Sequence, residues 1–374
     1  MKGFAYNIGF VLILFACDKP ISDFQANNFI KYIGNGSSSM GYDALELNDG
    51  GYIVTGYDNS IQFRKQILVA RTDKNGNTIW KKFFGTEHNE EGRIVKLFNG
   101  EILISGNKTD YIYSKTETFL MRVSMQGDSI ATYLYSSTNN NVVINYMDIS
   151  NNLIYIAGEQ NDGTAASAKY YFACIDQDGN IVRERAFPGS GSFGKFFVKE
   201  SGNILAVGTA ISTSGSVTSR ISVQELSPNF VPVGGINFTT TINQTFCNAL
   251  YQNNNLFVFY STNTISSICS MTQNNAIDWV SSTTIPGLGT SMVLKDDNTF
   301  LLASSSSNQV KFYTFQFSEG GNADITELRN FPGDVKAIIK TNDKGFLATG
   351  SNSSDYGGMV RLIKTDKDLF LLNE

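Results

Sequence analysis

The chain has 374 residues and a net charge of −5, with 34 Gly, 6 Pro and a single histidine, His88. Lys and Arg do not gather into runs, which argues against nucleic-acid binding, and one histidine cannot supply a multi-histidine metal centre or a Ser-His-Asp triad elsewhere in the chain. Abundant Gly, Asn and Ser together with many Tyr and Phe fit short strands joined by tight turns.

Residues 1–16 read as a signal peptide: Lys2 gives a minimal charged start, and Ile8 to Phe15 is an apolar run too short to span a bilayer. No later segment reaches the roughly 18–20 apolar residues that a spanning helix requires. Leu14-Phe15-Ala16-Cys17 resembles the bacterial lipobox, which implies cleavage before Cys17 and acylation of its thiol. With ~0.8 kcal/mol per buried CH₂, more than one acyl chain holds a protein stably on a membrane. Residues 17–27 then form a tether and residues 28–374 the folded domain. The expected address is the bacterial cell envelope, on the periplasmic or surface side of a membrane. The remaining cysteines, Cys174, Cys247 and Cys269, lie in alternating apolar stretches and read as buried free thiols.

From residue 40 onward one unit repeats: an apolar strand, a polar turn, a second strand ending near Gly, a loop, a third strand, a tight turn and a fourth strand. Its second strand is marked by Gly56, Gly106, Gly158, Gly208, Tyr260, Ser304 and Gly350, about 50 residues apart. The stretch from Ile67 to Gly85, "ILVARTDKNGNTIWKKFFG", returns as "YFACIDQDGNIVRERAFPG" from Tyr171 to Gly189. Asn75-Gly76, Gln126-Gly127 and Asp178-Gly179 mark the third-to-fourth turns, where type I′ geometry is expected because both central residues need φ > 0. A four-stranded sheet with two apolar faces cannot bury both by itself. Seven such units therefore predict an all-β fold, a seven-bladed β-propeller of four-stranded antiparallel blades.

"NFIKYIG" (Asn28 to Gly34) matches the fourth-strand stretch "TIWKKFFG" but has no first three strands before it, while "MVRLIKTDKD" near the C-terminus ends a third strand. The expectation is that Phe29–Ile33 closes the ring by completing the last blade, removing two sheet edges. The terminal "LFLLNE" is the competing candidate for that strand.

The unit resembles that of bacterial, Bacteroidetes-type β-propeller lipoproteins, and is similar to the PQQ-like, quinoprotein-type repeat in which an Asp, a Gly and a Trp recur around the third-to-fourth turn. Asp73, Gly76 and Trp80 match this pattern, whereas Arg183 replaces the Trp in the copy with Asp176 and Gly179. Quinoprotein dehydrogenases of this type need a calcium-binding Glu, Asn and Asp set and often a vicinal disulfide. Neither is found, so the resemblance implies a propeller that binds or scaffolds without dehydrogenase activity.

"DKNGN" and "DQDGN" superficially resemble calcium loops but lack the bidentate Glu, so turn chemistry explains them and no metal or cofactor is expected. The links that enter each blade's first strand rim one end of a propeller channel. They carry Tyr42, Asp43, His88, Glu90, Glu91, Arg93, Asn145, Tyr146, Lys195, Asn248, Asp334 and Lys336. Glu90 and Glu91 are adjacent and should face opposite ways on a strand. Phe63, Tyr111 and Tyr113 lie on long second-to-third strand loops, where aromatic side chains suit sugars or a protein anchor. Trp80 and Trp279 are expected to pack between blades. The expected role is a monomeric, lipid-anchored binding or scaffold protein for an envelope protein or a polar ligand such as a glycan. A carbohydrate-active hydrolase or lyase with carboxylates at the channel mouth is the alternative.

Overall fold

The structure is a computed structural model. It describes residues 28–36, 38–61, 64–110, 112–136, 140–164, 167–212, 218–238, 241–271, 277–281, 283–317, 323–353, 358–369 and 371. The expected signal peptide and tether, with Cys17, lie outside the described residues, as do Phe63, Tyr111 and the Trp279 side chain.

Among the described residues, strands pair antiparallel into four four-stranded sheets, one seven-stranded sheet that is two blades sharing a strand, and one five-stranded sheet in which Ile285–Pro286 joins the fifth blade, making seven blades. The first blade runs Met40–Glu46, Tyr52–Ile61, Arg64–Thr72 and Thr78–Phe84, and the second Asn89–Phe98, Glu101–Thr109, Thr116–Val123 and Ser129–Tyr135. The third opens with Asn141–Ser150. One continuous strand, Ile181–Val198, supplies both its outermost strand and the innermost strand of the fourth blade. The fifth, sixth and seventh blades begin with Thr245–Gln252, Leu288–Asp296 and Asp334–Lys340. Each innermost strand touches the next, and Asp334–Lys340 returns to Met40–Glu46, so the ring is closed.

Phe29–Ile33 pairs antiparallel with Val360–Thr365, placing Phe29 opposite Lys364 and Ile33 opposite Val360. The N-terminal strand is therefore the outer strand of the seventh blade. Of the competing "LFLLNE" stretch, Leu369 and Leu371 lie within the described residues. Leu369 is buried in the apolar cluster between the sixth and seventh blades, with Leu371 packed against it.

Seven apolar clusters occupy the seven blade-to-blade contacts. Ile53 and Val69 of the first blade meet Val95 and Ile104 of the second. At the closing contact, Leu347 and Leu362 of the seventh blade meet Val54 and Leu68 of the first. Alternating strands bury apolar side chains on both faces only because a neighbouring blade covers each, and that burial is the main stabilising term.

The turn chemistry differs from expectation. Gly76 has φ +74°, but Asn75 does not share a positive φ. Gly76 N–H donates to the Asp73 carbonyl at 3.0 Å, and the ladder shifts register between Arg71 and Thr72. This is a four-residue turn with a glycine bulge, held by Asp73, whose Oδ1 accepts the N–H groups of Asn75 and Asn77. Asp176 holds Gly179 in the same way. Two-residue turns with positive φ at both positions occur instead at Asn99-Gly100, Asn151-Asn152, Asn253-Asn254 and Ser307-Asn308.

The bulge glycines also seat aromatic rings from the preceding blade. Phe29 lies against Gly76, Trp80 against Gly127 and Tyr133 against Gly179. Trp80 further donates its indole N–H to the Met125 carbonyl at 3.1 Å, so it packs between blades as expected. Arg183 replaces the Trp in the third blade because the ring comes from the other side. Phe230 occupies the bulge position of the fourth blade with φ +58°, is fully buried, and lies under the Arg183 guanidinium at 5.3 Å.

Candidate functional site

The glycines that mark each repeat do not end their strands, since Gly56 lies within Tyr52–Ile61 and Gly106 within Glu101–Thr109. They face a β-bulge in the adjacent innermost strand. A Cβ at Gly56 would collide with the Met40 carbonyl, and one at Gly106 with the Glu91 carbonyl. Register shifts fall between Gly41 and Asp43, Gly92 and Ile94, Ile144 and Tyr146, Phe193 and Lys195, Phe246 and Asn248, Gly289 and Ser291, and Val335 and Ala337. Every innermost strand thus carries one extra residue at the same level, which re-aims the side chains beside it. Of the two copies without Gly in the second strand, Ser304 has Gly289 as its partner across the ladder and Tyr260 has Phe246.

The bulges converge on a central cavity of about 430 Å³, lined from all seven blades. It brings together Tyr42, Asp43, Arg93, Asn145, Tyr146, Lys195, Asn248 and Lys336 from the residues singled out in the sequence. It also contains Lys96, which the sequence reading missed, with Asp148 beside it. The signal was available: Lys96 and Asp148 follow their bulges by three residues on equivalent strands, so both point inward.

Polar groups here tie blade to blade. Asp43 accepts Val95 N–H from the second blade at 3.0 Å and Ala44 N–H at 2.9 Å. Lys96 Nζ lies 3.2 Å from Asp148 Oδ1 of the third blade. The Asn145 amide donates to Ser192 Oγ at 2.7 Å and to the Phe193 carbonyl at 3.0 Å. Lys195 Nζ donates to Asn248 Oδ1 of the fifth blade at 2.9 Å. Lys96 and Lys195 each stand 5.6 Å from the centre of the Tyr146 ring. At the mouth, the Arg93 guanidinium covers Tyr42 at 5.2 Å and lies 3.0 Å from Glu91, which also pairs with Lys65.

The confined setting shifts charges. Burial pushes the Asp43 carboxyl up to about 6, against the pull of its backbone donors and Lys96. Burial and the nearby Lys96 ammonium push Lys195 down to about 8. Burial raises Tyr146 to about 12. Burial also opposes the charge on Lys96, but Tyr146, Asp148 and Asp43 together hold its basicity above the ordinary value.

The other candidates stand apart. Glu90 and Glu91 face opposite ways, as alternation requires. Glu90 is buried beside Thr86, accepting its N–H at 2.5 Å and its hydroxyl at 3.1 Å. His88 lies 3.7 Å from Asp110. Asp334 accepts Ser305 Oγ and Lys336 Nζ, each at 2.6 Å. Tyr113 and Ile112 are exposed at a loop tip held by Asp110. Cys174 and Cys269 are buried free thiols, but Cys247 is half-buried and lines the cavity, because its bulge turns it toward the axis. No group of three or more His, Cys, Asp and Glu among the described residues could hold a metal ion.

No protein-family model matches this sequence, and no curated protein does. Solved structures match in fold. A catalytically inactive virginiamycin B lyase from Staphylococcus aureus with quinupristin has TM-score 0.56 at 9% identity, over 90% of this chain and 99% of that one. YCF48 bound to D1 peptide gives 0.53 at 12% identity, over 90% and 95%. BBS1N in complex with ARL6DN gives 0.54 at 10% identity, over 90% and 95%. The chain has the β-propeller fold these proteins share.

Proposed function

We propose that this chain is a binding propeller, held on a bacterial envelope membrane through an acylated Cys17, that takes a polar ligand or a protein loop at the channel mouth. The observation that supports this reading is the state of the carboxylates around the cavity. Asp43 is engaged by two backbone N–H groups, Asp148 by Lys96, Glu91 by Lys65 and Arg93, and Asp334 by Lys336 and Ser305. Hydrolysis by an acid and base pair needs two carboxyls free to exchange protons with substrate, whereas recognition needs only the Tyr, Asn, Lys and Arg surface that the bulges present.

A glycan array read with the full mature protein, followed by mass analysis of every captured glycan, tests the reading. Capture of intact ligand that weakens in Tyr42→Ala and Arg93→Ala supports binding. Cleaved glycan supports the alternative of a carbohydrate-active enzyme, and capture unaffected by either substitution removes the channel mouth from the account. Envelope anchoring is tested by metabolic labelling with a fatty-acid probe. Label on the wild type but not on Cys17→Ala, with that variant released from membranes, is the expected result.

A further inference from the structure

Three of the five cations lining the channel are paired with carboxylates: Arg93 has Glu91 at 3.0 Å, Lys96 has Asp148 at 3.2 Å and Lys336 has Asp334 at 2.6 Å. Lys340 and Lys195 have neutral partners, but Lys340 donates to the Lys295 carbonyl at 2.6 Å in an exposed contact, whereas Lys195 stands in the part-buried wall. Among the described residues no carboxylate lies within ion-pair distance of it, and its direct partner is the neutral amide oxygen of Asn248. The innermost strand of the fourth blade reads Phe193-Gly194-Lys195-Phe196-Phe197 and offers no acid near it. The aromatic faces of Tyr146 and Phe197 each stand 5.6 Å from Nζ, and Asp148 and Asp43 attract it from beyond ion-pair distance.

Lys195 and Lys96 approach the same Tyr146 ring, so two ammonium groups face one part of the cavity; Asp148 pairs directly with Lys96, and Asp43 acts on both from farther off. Asn248 Oδ1 is occupied by Lys195 and by Ala249 N–H at 2.8 Å, which leaves its amide N–H₂ as a donor. A second cavity of about 310 Å³, lined by Asn145, Ser192, Thr209 and Cys247, adjoins this point and supplies a polar wall. An ammonium with an amide donor beside it, in a confined space where no carboxylate among the described residues pairs with it directly, is complementary to an oxyanion.

Resting on the binding reading above, we infer that the channel holds a small oxyanion-bearing ligand, its carboxylate or sulfate group seated on Lys195 and Asn248 over the Tyr146 ring. Lys96, 5.6 Å from the centre of the same ring, adds attraction while remaining tied to Asp148. The groups facing Lys195 are Lys96 from the second blade, Tyr146 and Asp148 from the third, Asp43 from the first and Cys247 from the fifth. The Lys195 ammonium, pushed down to about 8, is the one that loses its charge on going from pH 7 to 9.

The test is calorimetric titration of the full mature protein with D-glucuronate, inorganic sulfate and, as the neutral control, D-glucose. Binding of glucuronate or sulfate at pH 7, reduced at least tenfold by Lys195→Met and about tenfold by raising pH to 9, is the expected result. The stronger of the two anions then tells whether a carboxylate or a sulfate source is preferred. Lys195→Met must keep the wild-type circular dichroism spectrum and melting temperature or better, since it removes an unpaired charge. Asn248→Ala should weaken the same anion and serves as the independent variant. Absence of binding by either anion, or equal binding by Lys195→Met, overturns the oxyanion site. Glucose binding as tightly as glucuronate also overturns it, yet leaves the broader binding reading standing. Failure of the array together with anion binding here would do the reverse.

Discussion

The ring of Phe29, on the strand that closes the seventh blade, lies against Gly76 in the outer hairpin of the first. The contact joins the N-terminal strand to the blade that follows it in the ring. Gly76 combines φ +74° with a Cβ position already filled by that ring. Gly76→Ala is therefore expected to destabilise by roughly 2–3 kcal/mol, about one from the left-handed backbone and the rest from the clash. Urea unfolding checks this. In a Phe29→Ala background the same change should cost only about 1 kcal/mol, and a strictly additive cycle would remove Phe29 from the explanation.

Phe230 accepts the left-handed conformation that Gly76, Gly127 and Gly179 adopt in other hairpins, and fills the core between the third and fourth blades. Phe230→Gly relieves about 1 kcal/mol of backbone strain but opens a cavity beside Phe172, whose ring centre is 4.8 Å away. The net outcome is a loss of roughly 2–3 kcal/mol, visible as a lowered melting temperature. A stabilised variant would show that strain outweighs packing here.

Lys364 has a fully buried side chain and donates to both oxygens of Asp343, at 3.0 and 2.8 Å, and to the Thr365 carbonyl. Asp343→Ala leaves that ammonium short of its countercharge and should cost roughly 2–4 kcal/mol, most of it recovered in Asp343→Ala with Lys364→Met. Burial opposes the Asp343 charge, but Lys364, the Thr341 hydroxyl and Gly345 N–H hold the carboxyl below its ordinary value. Its stabilisation is accordingly present above the unfolded value of 3.8 and lost as pH falls below it. A pH titration of the unfolding midpoint, wild type against the double variant, reads the difference.

Asp43 shifts the other way. Its folded value of about 6 exceeds the ordinary value of 3.8, so the folded state binds more protons between those limits and stability falls as pH rises through them. Asp43→Asn removes the charge while keeping an acceptor for one of the two N–H groups. It should stabilise the unliganded protein by roughly 1–2 kcal/mol at pH 7, allowing for water in the channel, and by nothing below pH ~3.8. Melting curves at pH 3.5 and pH 7 separate the cases; an equal effect at both would point to lost hydrogen bonding instead.

The seven repeats, the closing strand at Phe29–Ile33 and the opposed directions of Glu90 and Glu91 were legible in the chain, because each follows from strand alternation and from the recurrence of a unit unable to cover its own faces. Several residues of the cavity were legible by position within the repeat. The turn type was not, since Asn75-Gly76 satisfies two geometries that differ only in whether Asn75 takes positive φ. Nor was the meaning of Gly56 and its equivalents, which looked like strand ends and are instead the clearance for a bulge.

By itself, then, the sequence of this protein determined how many blades form, in what order they pair and which strand shuts the ring, all consequences of local pattern repeated often enough to be read. Only the tertiary structure decided that, among the described residues, no carboxylate comes within ion-pair distance of Lys195 while Lys96 finds Asp148, and that Phe230 serves where other hairpins borrow a ring. Those outcomes depend on which side chains meet across two separate blades. One extra residue in each inner strand rotates its neighbours toward the axis, and no periodicity along a single strand records who waits on the other side.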